Sequence, residues 1–186
     1  MRILLGSGSP RRRQLLQEMD IKFEIAHLKD IYETYPSDLA PEKVPEYLSQ
    51  LKAASYLDEL SDDTILITAD TVVIHKGKIL GKPADKDEAV KMLIELAGDT
   101  HKVVTGVTLT SKNKSISFSE TTEVEFMPID KDHIEKYVDK YLPLDKAGSY
   151  GIQEWIGLTA VKGIRGCFYN VMGLPTAALY HQLIKF

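Results

Sequence analysis

The stretch from Ile65 to Pro83 constrains the fold of this chain more than any other part of the sequence. Apolar and small residues run from Ile65 to Ala69, and β-branched residues follow Asp70 directly. Such a run predicts a strand that is buried on both faces. Lys76-Gly77 then suits a hairpin turn, in which glycine supplies a positive φ, and the chain returns to Lys82-Pro83. We therefore expect Asp70 and Lys82 to lie near one end of a rigid sheet.

A carboxylate at position 70 is costly in an apolar strand unless a cation or a hydrogen-bond donor meets it. Two interpretations of Asp70 are open at this point. It is a structural residue that caps a loop at the end of the strand, or it belongs to a charged functional site.

The composition is that of an ordinary globular domain. The chain has 186 residues, of which 44% are hydrophobic and 27% charged, so we expect one domain over residues 1–186 with a sizeable core. A formal net charge of −4 argues against a nucleic-acid partner, which needs a basic face.

No apolar run approaches the roughly 18 residues of a membrane span, and the N-terminal apolar run is too short for a signal peptide. The single cysteine, Cys167, excludes an internal disulfide. We expect a cytoplasmic protein with no membrane partner.

Hydrophobic periodicity predicts alternating strands and helices. Beside the central hairpin, strands are predicted at 2–5, 22–26, 102–110, 115–127 and 158–164, and helices at 10–19, 44–60, 85–96, 130–141 and from Pro175 onward. Two hairpins interrupt the alternation, so the predicted fold is α/β with a mixed sheet flanked by helices. In the helix over 44–60, we assign the buried stripe to Val44, Tyr47, Leu51 and Ala54, with Lys52 on its flank.

The segment after the first strand has the pattern of an anion-binding loop. Ser9 suits the N-cap of the following helix and Pro10 its first position, an arrangement that exposes backbone N–H groups to an anion. Arginines at 11, 12 and 13 fall in the first turn, where the helix dipole disfavours each cation by about 0.3–1 kcal/mol. Either a negative partner compensates some of them, or this is a solvated basic turn.

The charged residues near loops and element ends suit phosphate chemistry. They comprise the cations Arg11, Arg12, Lys52 and Lys82 and the carboxylates Glu33 and Asp70. Basic groups hold phosphates, whereas carboxylates hold Mg²⁺ and orient a water. The nucleotide-binding, zinc-protease and serine-hydrolase motifs G-x-x-x-x-G-K-[ST], G-x-G-x-x-G, H-E-x-x-H and G-x-S-x-G are absent. Spacing alone leaves a phosphate site and ordinary surface charges both open.

Eight short motifs occur in the order typical of one protein family, and their combination is specific although each alone is not. They are S-G-S-P-R-R at 7–12, E at 33, K-A at 52–53, A-D-T-V at 69–72, G-K-P at 81–83, H-x-V-x-T-G-V at 101–107, D-K-A-G-S-Y-G-I-Q at 145–153 and N-V-x-G-L-P at 170–175. Over nearly its full length the chain thereby resembles the Maf family of nucleoside triphosphate pyrophosphatases, also described as inhibitors of septum formation.

The resemblance implies the elongated, two-lobed α/β fold of inosine triphosphate pyrophosphatases, with the nucleotide in the cleft between the lobes. It implies hydrolysis of a nucleoside triphosphate to the monophosphate and pyrophosphate with a divalent cation, Mg²⁺ or Mn²⁺. By the same resemblance, Asp70 is the general base, and Glu33 is a metal or water ligand. Asp70 is a second candidate metal ligand.

The resemblance also implies how the substrate is held. Arg12, Lys52 and Lys82 would clamp the triphosphate, and Ser7 and Ser9 would belong to the anion loop. Lys52 and Lys82 are counted with the catalytic residues.

Three further positions, Arg11, Thr71 and Gln153, match the branch of the family that resembles enzymes for dTTP and UTP. Physically, the amide of Gln153 can pair with the O4/N3 edge of thymine or uracil. We therefore expect an enzyme that hydrolyses dTTP and UTP, or modified pyrimidine nucleotides. The alternatives are a 7-methyl-GTP pyrophosphatase and a nucleotide-binding regulator of septum formation with little turnover. A homodimer is left open.

Overall fold

A computed structural model describes residues 2–186 as a mixed sheet with flanking helices. Within these residues the sheet has seven strands, and neighbours follow the order β2-β1-β3-β5-β6-β7, with β4 paired to β3. The strands are β1 (Arg2–Leu5), β2 (Glu24–Ile25), β3 (Thr64–His75), β4 (Lys78–Leu80), β5 (Thr100–Thr110), β6 (Ser115–Phe126) and β7 (Val161–Arg165). β1 is parallel to both β2 and β3, whereas β4 and β7 run antiparallel to β3 and β6. The predicted mixed α/β fold is confirmed.

Residues 2–186 also contain seven α-helices, the last two of which follow β7. They are α1 (Pro10–Glu18), α2 (Val44–Ala54), α3 (Lys86–Leu96), α4 (Lys131–Tyr141), α5 (Trp155–Thr159), α6 (Phe168–Val171) and α7 (Thr176–Leu183). None of the helices in this part of the chain has the length and hydrophobicity that crossing a membrane requires.

The chain divides into two compact units. The first contains the residues up to Thr71, then Thr105–Glu120 and Gly173–Phe186, and the second contains Val72–Val104 and Thr121–Met172. The first unit buries side chains of β1, α1 and β3, among them Leu5, Leu15, Leu16, Leu66 and Ile67. The second buries side chains of the packed helices α3 and α4, among them Leu93, Leu96, Ile134 and Tyr137.

Strand β3 is buried along its whole length except at Asp70 and Thr71, which are half-buried. Burial on both faces is thus confirmed. The prediction that Asp70 lies near the end of the sheet is wrong, because Asp70 lies in the interior of this strand. The β-branched residues after it favour extended backbone and continue the strand to His75. Lys76 and Gly77 then form a two-residue hairpin turn with φ of 48° and 77°, as the primed turns of hairpins require.

The buried stripe of α2 differs from the prediction. Helix α2 ends at Ala54, and its buried residues are Val44, Pro45, Leu48, Ser49 and Ala53. The hydroxyl of Ser49 lies 2.8 Å from that of Thr108 on β5, so a hydrogen bond compensates a polar residue on the buried face. A stripe assigned from apolar residues alone therefore misses the true orientation.

The C-terminal elements also differ from the prediction. The strand expected at 158–164 begins at Val161, because Trp155–Thr159 is a short helix that leaves Leu158 84% exposed. Pro175 is the N-cap of α7 rather than its first helical residue.

Candidate active site

Three predicted site residues of the first unit meet around one ammonium group. Nζ of Lys52 donates to Oδ1 of Asp70 at 2.6 Å and lies 3.1 Å from Oε1 of Glu33. Lys52 comes from the last turn of α2, Asp70 from the interior of β3 and Glu33 from the irregular segment 26–40. The side chains of Lys52 and Asp70 are 14% and 13% exposed, whereas Glu33 is 45% exposed. We call this set the Lys52 cluster.

Only one oxygen of the Asp70 carboxylate is used by the protein. Oδ1 accepts from Lys52, and within residues 2–186 no hydrogen bond reaches Oδ2. The second oxygen is therefore free to accept a proton from a water or to bind a cation.

A close backbone contact sets the position of Lys52. A Cβ on Gly106 of β5 would lie 2.2 Å from the backbone nitrogen of Glu46 in the first turn of α2. Real Cβ contacts are never that short, so any side chain at this position would push the helix away from the sheet. Thr68 on β3 adds a second tie, because its hydroxyl donates to the carbonyl of Ser49 at 2.7 Å. The helix that carries Lys52 thus packs directly on the strands.

The loop after β1 presents two serine hydroxyls. The amide of Gly6 donates to the carbonyl of Ile67 on β3 at 2.8 Å, which ends the pairing of β1. Oγ of Ser7 accepts from the amide of Ser9 at 3.3 Å and is buried. Ser9 is the N-cap of α1 with Pro10 after it, as predicted, but its side chain makes no capping hydrogen bond. Its hydroxyl therefore remains available to a ligand.

Arg12 is held by the protein itself. Its guanidinium donates to the Ser7 hydroxyl at 3.1 Å and the Thr71 hydroxyl at 3.0 Å. It also donates to the carbonyls of Ala69 at 2.9 Å and Gly173 at 2.8 Å. Four of the five N–H groups of a guanidinium are thereby used. Burial lowers the pKa of Arg12, while the charge of Asp70 acts in the opposite direction. The side chain remains a cation, because arginine does not deprotonate in proteins.

The remaining predicted residues lie as follows. Arg11 is half-buried on α1, and the hydroxyl of Thr71 lies 2.9 Å from that of Thr105 as well as accepting from Arg12. Lys82 and Gln153 belong to the second unit. Both are exposed, and within residues 2–186 neither side chain forms an ion pair or hydrogen bond. The roles assigned to these residues stay predictions.

His101 is the first residue of the motif at 101–107, which predicts no role for it. In the structure it is fully buried in the second unit, and its Nε2 lies 2.7 Å from the hydroxyl of Tyr150. Burial lowers the pKa of His101 to about 4, and the nearby His75 contributes in the same direction. The histidine is therefore neutral at pH 7.

We expect His101 to make stability depend on pH. Its pKa is about 4 when folded and 6.5 ordinarily, so between these values the unfolded chain binds more protons. The free energy of unfolding should therefore fall as pH is lowered from 6.5 to 4, by up to about 1.4 kcal/mol per pH unit from this group. Urea unfolding at several pH values measures this slope. His101→Gln should flatten the slope, and the exposed His27→Gln should not. Equal slopes in wild type and His101→Gln would contradict the expectation.

Comparisons with known proteins agree with this fold. Over the whole of both chains the structure is similar to a solved HAM1 protein from Coxiella burnetii, with a TM-score of 0.51 and 15% sequence identity. The predicted fold class, a Ham1-like α/β fold with a mixed sheet flanked by helices, is thereby confirmed. Residues 2–186 match the family model described as Maf-like protein. The chain belongs to the Maf family, as the sequence motifs indicated.

Relatives with assigned activities span the full chain. A dTTP/UTP pyrophosphatase from Porphyromonas gingivalis is 51% identical over 100% of this chain and 94% of its own length. Proteins with the same name from Phocaeicola vulgatus and Bacteroides thetaiotaomicron are each 48% identical, over 99% and 98% of this chain and 95% of their own length.

Proposed function

We propose that this protein hydrolyses dTTP and UTP to the nucleoside monophosphate and pyrophosphate. The observation that carries the proposal is the Lys52 cluster, in which an ammonium holds one oxygen of Asp70 and leaves the other free. A carboxylate on a rigid strand with a free oxygen suits a general base. A protein that only bound nucleotides would not need one. The names of the full-length relatives support the same reaction and the same substrates.

In the proposed reaction, water attacks the α-phosphorus, the bond to the bridging oxygen of the β-phosphate breaks, and Asp70 takes the proton of the water. Lys52 fixes the orientation of this carboxylate. Two predicted phosphate ligands, Lys82 and the Ser9 hydroxyl, are accessible to a ligand, because Lys82 is exposed and Ser9 makes no capping hydrogen bond. Positive groups on the β- and γ-phosphates stabilise pyrophosphate as it departs. Arg12 holds the Ser7 loop and Thr71 in place.

The proposed cofactor is a divalent cation, Mg²⁺ or Mn²⁺. Within residues 2–186 no group of three or more His, Cys, Asp or Glu side chains is arranged to hold a metal. Mg²⁺ needs no such group, because it is commonly bound through one or two carboxylates together with substrate phosphates and water. Glu33, whose partly exposed carboxylate lies beside the Lys52 ammonium, fits that donor set and would hold the ion, which leaves the free oxygen of Asp70 to take the proton. Its chemistry would be to offset negative charge on the phosphates.

A pyrophosphate-release assay over dTTP, UTP, CTP, GTP and 7-methyl-GTP tests the proposal. With Mg²⁺ or Mn²⁺ we expect monophosphate and pyrophosphate as products, faster turnover of dTTP and UTP, and loss of activity in excess chelator. Asp70→Asn protein, purified in the same way, controls for contaminating enzymes. Orthophosphate as the primary product would refute the reaction, and full activity in chelator would refute the proposed cofactor. Equal rates on dTTP and 7-methyl-GTP would refute the pyrimidine preference alone.

A further inference from the structure

Gln153 projects from a segment that is otherwise buried. The three residues before it, Tyr150 to Ile152, are buried, whereas Gln153 itself is exposed. The residue after it, Glu154, is 18% exposed at its side chain. The side-chain amide of Gln153 is thus exposed at the end of a short buried stretch of backbone.

Tyr137 of α4 connects both sides of this stretch. Its hydroxyl accepts from the amide of Gly151 at 3.1 Å and donates to the carboxylate of Glu154. Tyr137 as a whole is only 2% exposed. On its other side, Glu154 lies 3.2 Å from Nζ of Lys146, whose side chain is 11% exposed. One buried hydroxyl therefore holds the backbone two residues before Gln153 and the side chain one residue after it.

Two further contacts fix the same segment. The Tyr150 hydroxyl meets Nε2 of the buried His101 at 2.7 Å. The amide of Gly148 donates to the carbonyl of Gly81 at 3.1 Å, the residue directly before Lys82. Gly148 has φ of 67°, and a Cβ there would lie 2.8 Å from a methyl group of Val73. The backbone that presents Gln153 is thus tied to the residue preceding Lys82.

We propose that Tyr137 is a positioning residue for base selectivity, acting through Gln153. Its hydroxyl fixes the Gly151 amide and the Glu154 carboxylate, and so sets the direction in which the Gln153 amide meets the edge of a pyrimidine base. This inference rests on the proposed function. A donor–acceptor pair discriminates between bases only when its geometry is fixed before binding, since a mobile amide adapts to either edge. Removing this one buried hydroxyl of the second unit should then change the preference of the protein among nucleotide bases.

Tyr137→Phe tests the inference because it removes the hydroxyl and keeps the ring. We expect the ratio of kcat/KM for dTTP over CTP to fall about tenfold, the contribution of roughly one hydrogen bond. KM for dTTP should rise while kcat on CTP stays unchanged. Tyr141→Phe is the matched control, because Tyr141 stacks on Tyr137 with ring centroids 5.0 Å apart and its hydroxyl has no partner within residues 2–186. In a Gln153→Ala background, which itself should lose the preference, Tyr137→Phe should have no further effect on the ratio.

A second measurement is independent of the reaction. Amide hydrogen exchange at Gly151, followed by NMR in the free protein, should accelerate in Tyr137→Phe and not in Tyr141→Phe. Faster exchange with an unchanged dTTP/CTP ratio would overturn the inference, as would unchanged exchange. If Tyr137→Phe does not fold, Tyr150→Phe removes the neighbouring anchor and must lower the same ratio for the inference to stand. Failure of the proposed function differs from all of these, because wild-type protein would then show no pyrophosphate release.

Discussion

Asp70→Asn should lower kcat for dTTP about 10²- to 10⁴-fold, the usual loss when a general base is removed. The amide keeps the size of the carboxylate and can still accept the hydrogen bond that Lys52 donates at 2.6 Å. It cannot take a proton from water. The effect should therefore appear in kcat, while dTTP binding without turnover, measured by calorimetry, should change little.

Asp58→Asn is the matched control, because Asp58 is exposed on a short 3₁₀ helix outside the Lys52 cluster. It should retain wild-type kcat and stability. If Asp70→Asn folded normally and kept near wild-type turnover, Asp70 would be a structural partner of Lys52, and the proposed mechanism would be wrong.

Arg12→Lys should lower the stability of the folded protein as well as weaken dTTP binding. A lysine ammonium cannot reproduce the planar fork that serves Ser7, Ala69, Thr71 and Gly173 together. Each partly buried acceptor left unpaired costs about 1–3 kcal/mol, so we expect a loss of about 3 kcal/mol in the free energy of unfolding. For a chain of this size that lowers Tm by roughly 6–12 °C. Thermal unfolding with and without dTTP measures it.

The neighbouring Arg13 is exposed, so Arg13→Lys should leave Tm unchanged. The two roles of Arg12 predict different results. A residue that only clamps the triphosphate would weaken dTTP binding on substitution without lowering the Tm of the free protein. That outcome would show that the four hydrogen bonds of Arg12 contribute little to the fold.

The elements that sequence predicted well are those with local signals. Helices α3 and α4 follow their apolar periodicity, and Asp85 caps α3 by accepting from the amide of Glu88 at 2.8 Å. The Lys76-Gly77 turn follows from glycine at the second turn position. In each case the residues that determine the structure are neighbours in the chain.

Features that depend on distant partners could not be predicted in the same way. Two acceptors of Arg12 are backbone carbonyls 57 and 161 residues away. Every residue has a backbone carbonyl, so the residue types do not indicate which carbonyls will accept. The orientation of α2 depends on Ser49, whose burial needs the hydroxyl of Thr108. Tyr137 lies on the buried face of α4 with Ile134 and Val138, and periodicity does not distinguish a tyrosine that only packs from one whose hydroxyl holds a loop.

The residues of the Lys52 cluster lie in parts of the protein that differ in local stability. Opening free energies range from near zero in exposed loops to the global value in core strands. Asp70 lies within a strand buried on both sides of it, and Lys52 on a helix packed against the sheet, whereas Glu33 lies in a largely exposed segment without regular structure. Low concentrations of denaturant should therefore release Glu33 while Lys52 and Asp70 stay paired. Enzyme activity would then begin to decline at denaturant concentrations below the cooperative unfolding transition, when Glu33 is released. The remaining activity would be lost in the transition itself, when Lys52 and Asp70 separate.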